Sequence, residues 1–397
     1  MSNTTLRKID FSFLRAVELT AVLLIAMMGA AVTTLMPLLV GAYSDSGSFT
    51  SVQVGWLTSA DVAGILLAST SAYVWSRRVN WRLVTLISLS VFILCNYLST
   101  ITSEFEPLLL VRFFAGVACG CAYALSLCAL GDHKNTDKAF GALVTIQVLF
   151  GTIGFWLLPE ITAQQGFSGI FHFFNLCLIP ALILSALTYP SNSKTQSHTV
   201  MSIDGSYYAA ALIFFGVVAY YFAQGTVWAY LERIGVVANL SGVEIGQILA
   251  VGFALSALGS LLSGKCVAMF GRNAGLWATA VIQLPCLLLL YNMDSQHAFW
   301  IYAITTIIYQ VMWSFVVPIM MAIFNDIDKS GKLIALCIAA FKVGLVVGPP
   351  VAAVVVSIGH INDVIWLGGI AIVVSIVLCI VANNHLKQRI SSHNVSA

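Results

Sequence analysis

Three ionisable residues lie inside long apolar stretches of the sequence: Asp61, Arg112 and Lys342. A carboxyl group in such surroundings can load and unload a proton in the working pH range, which makes Asp61 a candidate proton carrier. Arg112 stays charged and holds its partners by several donors, so it could equally fix neighbouring backbone carbonyls. Lys342 could be the counter-ion of Asp61 or the anchor for a carboxylate on a bound solute.

Amides and aromatic rings form a second set of candidate residues. Several recur at spacings of three and four, which places them on one face of a helix. Aromatic faces with amide groups suit a flat organic solute, although for Trp228 a membrane-interface belt is the alternative. The candidate solute-binding residues are Lys342, Gln147, Tyr221, Gln224, Trp228, Gln310 and Trp313.

Composition excludes a water-soluble protein. The chain has 397 residues, of which 59% are hydrophobic and 9% charged. A soluble domain carries about 25% charged residues to wet its surface. The net charge of +2 gives no basis for binding nucleic acid. The nine cysteines lie in or beside apolar runs without paired ligand spacing, so we expect small buried hydrophobes and no metal site.

The apolar residues fall into twelve runs of the length that crosses a bilayer as a helix, about 20 residues. These twelve predicted spans are 18–40, 52–75, 83–101, 107–130, 139–159, 168–188, 207–230, 243–268, 274–291, 298–324, 333–357 and 362–383. Glu232 and Arg233 directly follow the seventh run and are candidates for a gate pair, with an interfacial pair as the alternative.

Lysine and arginine are distributed unevenly between the two sides of these spans. If the N-terminus is cytoplasmic, fifteen of them lie on the cytoplasmic side, Arg233 alone lies outside, and Arg112 and Lys342 lie within spans. This bias predicts that both termini are cytoplasmic in the cell inner (plasma) membrane.

The two halves of the sequence resemble each other. Span two aligns with span eight at an offset of 191, where Gly55 meets Gly246, and Asp132 meets Asp326 at an offset of 194. Such parallel repeats predict an all-α integral membrane protein of two pseudo-symmetric six-helix bundles. We assign residues 1–189 and 207–397 to the bundles and residues 190–206 to a cytoplasmic linker.

This arrangement resembles the major facilitator superfamily. The local motifs that carry the resemblance are Leu109 to Gly116 followed by Gly120, the basic run Arg77 to Arg82, Gly264 with Gly271-Arg272, and Gly348-Pro349-Pro350. The resemblance implies two bundles around a central cavity, and a role for Arg112 in coupling proton movement to conformational change. It also places spans seven and ten at the cavity.

From these features we expect a secondary transporter and not an enzyme, with no catalytic residues and no cofactor beyond a proton gradient. The partners we expect are a small-molecule solute, protons and the lipid bilayer, with the chain acting as a monomer. Two cations against one carboxylate favour proton-coupled symport of an organic anion or zwitterion, with aromatic solutes included. The alternative is a proton-driven antiporter that exports drugs or metabolites. The fifth span reads Gly151-Thr152-Ile153-Gly154-Phe155, and its lack of a Gly-Pro pair leans against export.

Overall fold

A computed structural model describes residues 3–133, 135–191, 207–327 and 332–396. These residues form fourteen α-helices and one π-helical turn. The α-helices are α1 (Asn3–Thr34), α2 (Met36–Asp45), α3 (Ser51–Trp75), α4 (Trp81–Ile101), α5 (Phe105–Gly131), α6 (Thr136–Gln165), α7 (Phe167–Thr188), α8 (Tyr207–Ala223), α9 (Ala229–Val237), α10 (Gly242–Phe270), α11 (Arg272–Tyr291), α12 (Ala298–Ile327), α13 (Lys332–Ile358) and α14 (Asp363–Ser396).

Twelve helical segments of the described residues are long and apolar enough to cross a membrane. They match the twelve predicted spans one for one, so the all-α membrane fold is confirmed. Large apolar side chains also remain exposed along these helices, for example Leu176 and Leu261, which are 70% and 69% exposed. Exposed apolar side chains in this number are stable in lipid and would promote aggregation in water.

The first predicted span is interrupted. Residues 18–40 were expected to form one helix, but α1 ends at Thr34 and α2 begins at Met36. Pro37 explains the break, since proline has no backbone N–H and disfavours helical geometry in the residue before it. The short helix α2 then carries the chain on to Asp45.

The seventh span contains the π-helical turn, Gln224–Trp228, between α8 and α9. All five residues of this turn are buried. Single π-turns are rare within α-helices and are frequent at functional sites. The turn changes the direction in which Gln224 and the residues after it present their side chains.

Contacts among the residues divide the chain into two compact units. Unit 1 comprises Met1–Leu35, Ala60–Gly151 and Ile161–Ser197, and unit 2 comprises Met36–Ser59, Thr152–Glu160 and His198–Ala397. The division into bundles 1–189 and 207–397 stays a prediction, and of the predicted linker 190–206, residues 192–206 lie outside the described residues.

Each unit has an ion pair between an arginine and one of the two aspartates that align in the internal repeat, Asp132 and Asp326. In unit 1, Arg77 in the turn after α3 pairs with Asp132 at the end of α5, at 2.7 Å. In unit 2, Arg272 at the start of α11 pairs with Asp326 near the end of α12. Burial opposes the charge on Arg77, but the hydrogen bond to Asp132 together with the charges of Cys128 and Asp132 outweighs it and raises the pKa of the guanidinium.

Candidate functional site

A buried ion pair joins Asp61 of α3 to Arg112 of α5 within unit 1. Arg112 Nη2 donates to Asp61 Oδ1 at 2.5 Å, and Arg112 Nε donates to Asp61 Oδ2 at 2.9 Å. The Arg112 side chain is fully buried and that of Asp61 is 3% exposed. This two-point geometry is the strongest form of a carboxylate–guanidinium pair, and it makes Arg112 the counter-ion of Asp61.

Arg112 also has neutral partners on neighbouring helices. Its Nη1 donates to Asn96 Oδ1 at 2.8 Å and to Ser99 Oγ at 3.3 Å, both on α4. The guanidinium lies over the ring of Phe171 of α7, with its carbon 4.2 Å from the ring centroid. Arg112 is therefore held by a cation–π contact and two uncharged acceptors in addition to Asp61.

The helices that carry the pair touch at the level of Asp61. A Cβ atom added to Gly116 of α5 would lie 2.1 Å from the backbone oxygen of Asp61. Only glycine permits this approach, which fixes the two backbones close enough for a bidentate ion pair. The sequence motif around Arg112 thus has a direct steric purpose in unit 1.

Lys342 lies on α13 in unit 2 and is 9% exposed. Asp61 and Arg112 both belong to unit 1, where they form the pair described above. Both roles that the sequence offers for Lys342, in proton coupling and in solute binding, stay predictions.

The remaining predicted solute-binding residues divide between the units. Gln147 is half-buried on α6 of unit 1, and Trp313 is half-buried on α12 of unit 2. The other four lie in unit 2 and are largely buried, with exposures of 7% for Tyr221, 4% for Gln224, 6% for Trp228 and 2% for Gln310.

Two of these aromatic side chains pack against other rings of unit 2. The Tyr221 ring stacks on Phe341 at 4.3 Å between centroids, and the Trp228 ring meets Phe155 edge-on at 5.6 Å. Burial at this level does not fit a membrane-interface belt, whose members keep one polar edge in water. The cavity assignment of the two residues stays a prediction.

Unit 2 also contains a neutral polar cluster that the sequence did not reveal. Gln283 Nε2 of α11 donates to the backbone oxygen of Tyr309 at 3.2 Å and to the hydroxyl oxygen of Tyr220 at 3.1 Å. The Tyr309 hydroxyl and Gln224 Nε2 have no hydrogen-bond partner among the described residues. Buried polar groups are normally paired, so these two groups are available to a solute or to water.

The predicted gate pair gains a third member. Arg233 donates to both carboxylate oxygens of Glu232, at 2.5 and 2.7 Å, and to both of Asp45 at the end of α2, at 2.6 and 3.1 Å. Glu232 lies directly against α2, because a Cβ atom added to Gly41 would lie 2.4 Å from its Oε2 atom. We call Asp45, Glu232 and Arg233 the ionic latch; all three residues are in unit 2.

Comparison with known proteins decides the family. The profile of the Major Facilitator Superfamily matches residues 21–328, well over half of the chain. The chain belongs to the major facilitator superfamily. This membership makes it a transporter and not an enzyme, in agreement with the sequence-based expectation. No curated protein sequence matches the chain.

Solved structures of transporters share this superfamily fold. The nucleoside transporter NupG aligns with a TM-score of 0.72 at 14% identity, over 92% of this chain and 98% of its own. A bacterial homologue of the human lysosomal transporter Spinster, inward-facing and occupied, gives 0.72 at 14% identity over 94% and 96%. A D-xylose-proton symporter gives 0.67 at 16% identity over 93% and 97%. Identities this low support the fold alone.

Proposed function

We propose that this member of the superfamily is a proton-coupled symporter of a small organic anion or zwitterion, operating by alternating access. The observation that carries the proposal is the buried pair of Asp61 with Arg112. A charge in the membrane interior is costly and commonly marks an ion or proton pathway. An ion gradient supplies the energy in such a mechanism.

The pair has two chemically distinct states. With Asp61 ionised, the carboxylate and the guanidinium neutralise each other through two hydrogen bonds. When a proton binds to Asp61, the ion pair is lost, and Arg112 keeps its charge because guanidinium does not deprotonate in proteins. The neutral acceptors Asn96 and Ser99 and the ring of Phe171 then hold it.

Proton binding therefore changes the packing between α3 and α5 without creating an unsatisfied cation. The two helices are in backbone contact beside Asp61, so a change in their attraction acts directly on their spacing. A transporter needs such an element, whose two arrangements differ by one proton. Asp61 is the proton carrier in this proposal, and Arg112 is its coupling partner.

The proposed substrate class depends on Lys342. Arg112 is paired with Asp61, and we propose that the buried ammonium of Lys342 attracts an anionic group of the solute. Gln224 Nε2 and the Tyr309 hydroxyl, which have no hydrogen-bond partner among the described residues, are donors for oxygen atoms of a solute. Donors beside buried aromatic rings suit a small organic acid or zwitterion, with or without an aromatic ring.

The orientation and the location belong to the same proposal. The excess of lysine and arginine on one side supports cytoplasmic termini in the cell inner (plasma) membrane, with the ionic latch on the outer side. We propose that the chain acts as a monomer, because one chain supplies both halves of the superfamily fold.

The test uses the full chain reconstituted in lipid vesicles. An imposed pH gradient is combined with a panel of labelled organic acids, zwitterions, neutral sugars and cationic dyes. Symport predicts that organic acids enter vesicles when the outside is acidic. Entry of cationic dyes only when the inside is acidic identifies proton-driven export and contradicts the proposal. Uptake that ignores the pH gradient but follows a sodium gradient contradicts proton coupling.

A further inference from the structure

A line of three hydrogen bonds leads from a backbone carbonyl to Arg112 within unit 1. Asn175 Nδ2 of α7 donates to the carbonyl oxygen of Ile93 at 3.2 Å. Asn96 Nδ2 of α4 donates to Asn175 Oδ1 at 3.0 Å. Arg112 Nη1 then donates to Asn96 Oδ1 at 2.8 Å. Asn96 is fully buried, and Asn175 is partly buried.

The chemistry of the two ends fixes the orientation of both amides. A backbone carbonyl only accepts hydrogen bonds, and a guanidinium only donates them. The Ile93 carbonyl therefore selects the NH₂ group of Asn175, whose oxygen is left to face Asn96. Asn96 in turn offers its NH₂ group to Asn175 and its oxygen to Arg112. Turning either amide by 180° would place donor against donor.

The fixed oxygen of Asn96 matters most when Asp61 carries a proton. In the ionised state Asp61 neutralises Arg112, and the Asn96 oxygen adds one further hydrogen bond. In the protonated state the cation depends on its neutral partners alone, so the loss of one of them costs more than in the ionised state. The Asn96 oxygen thus stabilises the protonated state more than the ionised state.

We propose that Asn175 and Asn96 are positioning residues of the proton site, which hold an acceptor on Arg112 and so set the pH at which Asp61 binds its proton. This inference rests on the proposed proton-carrier role of Asp61. Asn175 acts through Asn96. Its hydrogen bonds to Ile93 and Asn96 keep the Asn96 amide oxygen turned to Arg112.

The helices that carry the pair and its hydrogen-bond partners bring the following groups to this site. α5 contributes the guanidinium of Arg112, and α4 contributes the thiol of Cys95, whose charge would interact with both members of the pair. α7 contributes Phe171 and Asn175, which do not ionise. A thiol is ordinarily neutral below about pH 8, so Cys95 adds no charge near the pair in the range where Asp61 is expected to bind its proton.

Infrared spectroscopy of the full chain in lipid vesicles tests the proposal without a known substrate. Protonated Asp61 contributes a carboxylic-acid carbonyl band that is absent from the Asp61→Asn variant. The pH dependence of this difference band, followed between about pH 4 and pH 9, gives the pH at which half of Asp61 is protonated. Asn96→Leu and Asn175→Leu are each expected to move this midpoint to lower pH, the former by about one unit.

Two further variants separate positioning from general damage to the fold. Asn96→Asp places a carboxylate on Arg112, so the first proton is expected to bind at higher pH than in the unmodified chain, the opposite direction to Asn96→Leu. If Asn175 acts through Asn96, the double variant Asn96→Leu/Asn175→Leu shows the same midpoint as Asn96→Leu alone. Asn383→Leu, which removes a buried amide of α14 in unit 2, is the matched control and is expected to leave the midpoint unchanged.

The outcomes distinguish this inference from the proposed function. A band that titrates at the same midpoint in all Asn96 and Asn175 variants overturns the positioning role and leaves the proton-carrier role of Asp61 intact. Midpoints that move in the same direction in Asn96→Leu and Asn96→Asp also overturn it, because damage to the fold would shift the midpoint regardless of the charge introduced. A band that never titrates in the unmodified chain overturns both.

Discussion

Both carboxylate oxygens of Asp61 on α3 accept hydrogen bonds from Arg112 on α5, which lies 51 residues later in the chain. Each residue would be costly in an apolar interior without the other. Each charge therefore compensates the other as long as Asp61 is ionised, and the binding of a single proton changes the attraction between α3 and α5.

Asp61→Asn should abolish substrate accumulation driven by a pH gradient while the protein remains folded in the membrane. Asparagine keeps the shape of the side chain but cannot exchange a proton, so binding and exchange of substrate persist without net coupling. Uptake into vesicles with and without an imposed pH gradient measures this difference. Asp294→Asn is the matched control, since Asp294 is an exposed loop residue, and accumulation unchanged in Asp61→Asn would remove Asp61 from the mechanism.

Arg112→Ala should destabilise the protein by about 3–5 kcal/mol, because it leaves the Asp61 carboxylate buried without a partner. The double variant Asp61→Asn/Arg112→Ala should regain part of this stability and none of the coupling, since the unpaired charge is gone. Thermal unfolding in detergent, followed by circular dichroism, measures both variants.

Equal destabilisation of the single and the double variant would mean that the lost contacts of Arg112 with Asn96 and Phe171 outweigh the ion pair. Arg112→Lys provides a second comparison. Lysine keeps the charge but cannot bridge Asp61 and Asn96 with a planar fork, so we expect it to fold better than Arg112→Ala and to transport poorly.

The sequence singled out Asp61 and Arg112 but predicted neither their pairing nor their neighbours, since it offered Lys342 as the counter-ion of Asp61. Asp61 and Arg112 stand out because charges are rare in apolar spans, and any reading of composition finds them. Asn96 and Asn175 are uncharged and carry no such signal. Their role depends on which side chains of other helices they face, and the periodicity of one helix carries no information about its partners.

The sequence also did not predict two local features, the position of Asp45 and the π-helical turn. Asp45 was missed because the first apolar run was expected to end at residue 40, whereas the break at Leu35 starts a second helix that places Asp45 beside Arg233. The π-helical turn at Gln224–Trp228 depends on packing within unit 2, and propensity does not encode it. Patterns of hydrophobicity thus fixed the number of spans, while side-chain partners required the structure.

Lys342→Ala should weaken the transport of anionic substrates far more than that of neutral ones. A buried ammonium contributes to affinity mainly through charge, and a hydrogen-bonded charge pair that loses one partner typically costs 2 kcal/mol or more, about 30-fold in affinity. Competition by unlabelled organic acids and their uncharged amides measures the two classes in the same vesicles. Lys342→Arg is the control that keeps the charge, and equal losses for acids and amides in Lys342→Ala would count against anchoring.

We expect the two carboxylates of the ionic latch, Asp45 and Glu232, to contribute unequally to stability. Asp45 is 68% exposed at its side chain, so Asp45→Asn removes a solvated contact and should cost less than about 1 kcal/mol. Glu232 is only 8% exposed, and Arg233→Gln leaves its carboxylate buried against α2 with no cation. We therefore expect Arg233→Gln to lower the thermal stability clearly more than Asp45→Asn does.

The double variant Glu232→Gln/Arg233→Gln separates charge burial from loss of contact. If the cost of Arg233→Gln comes from the stranded Glu232 carboxylate, neutralising that carboxylate restores part of the stability, although the latch is then absent altogether. The same series measured at low and high salt adds a second criterion, since screening reduces the effect at the exposed Asp45 and leaves the effect at the buried Glu232 largely unchanged. A double variant no more stable than Arg233→Gln, with equal salt dependence at both acids, would show that the latch works by shape and not by charge.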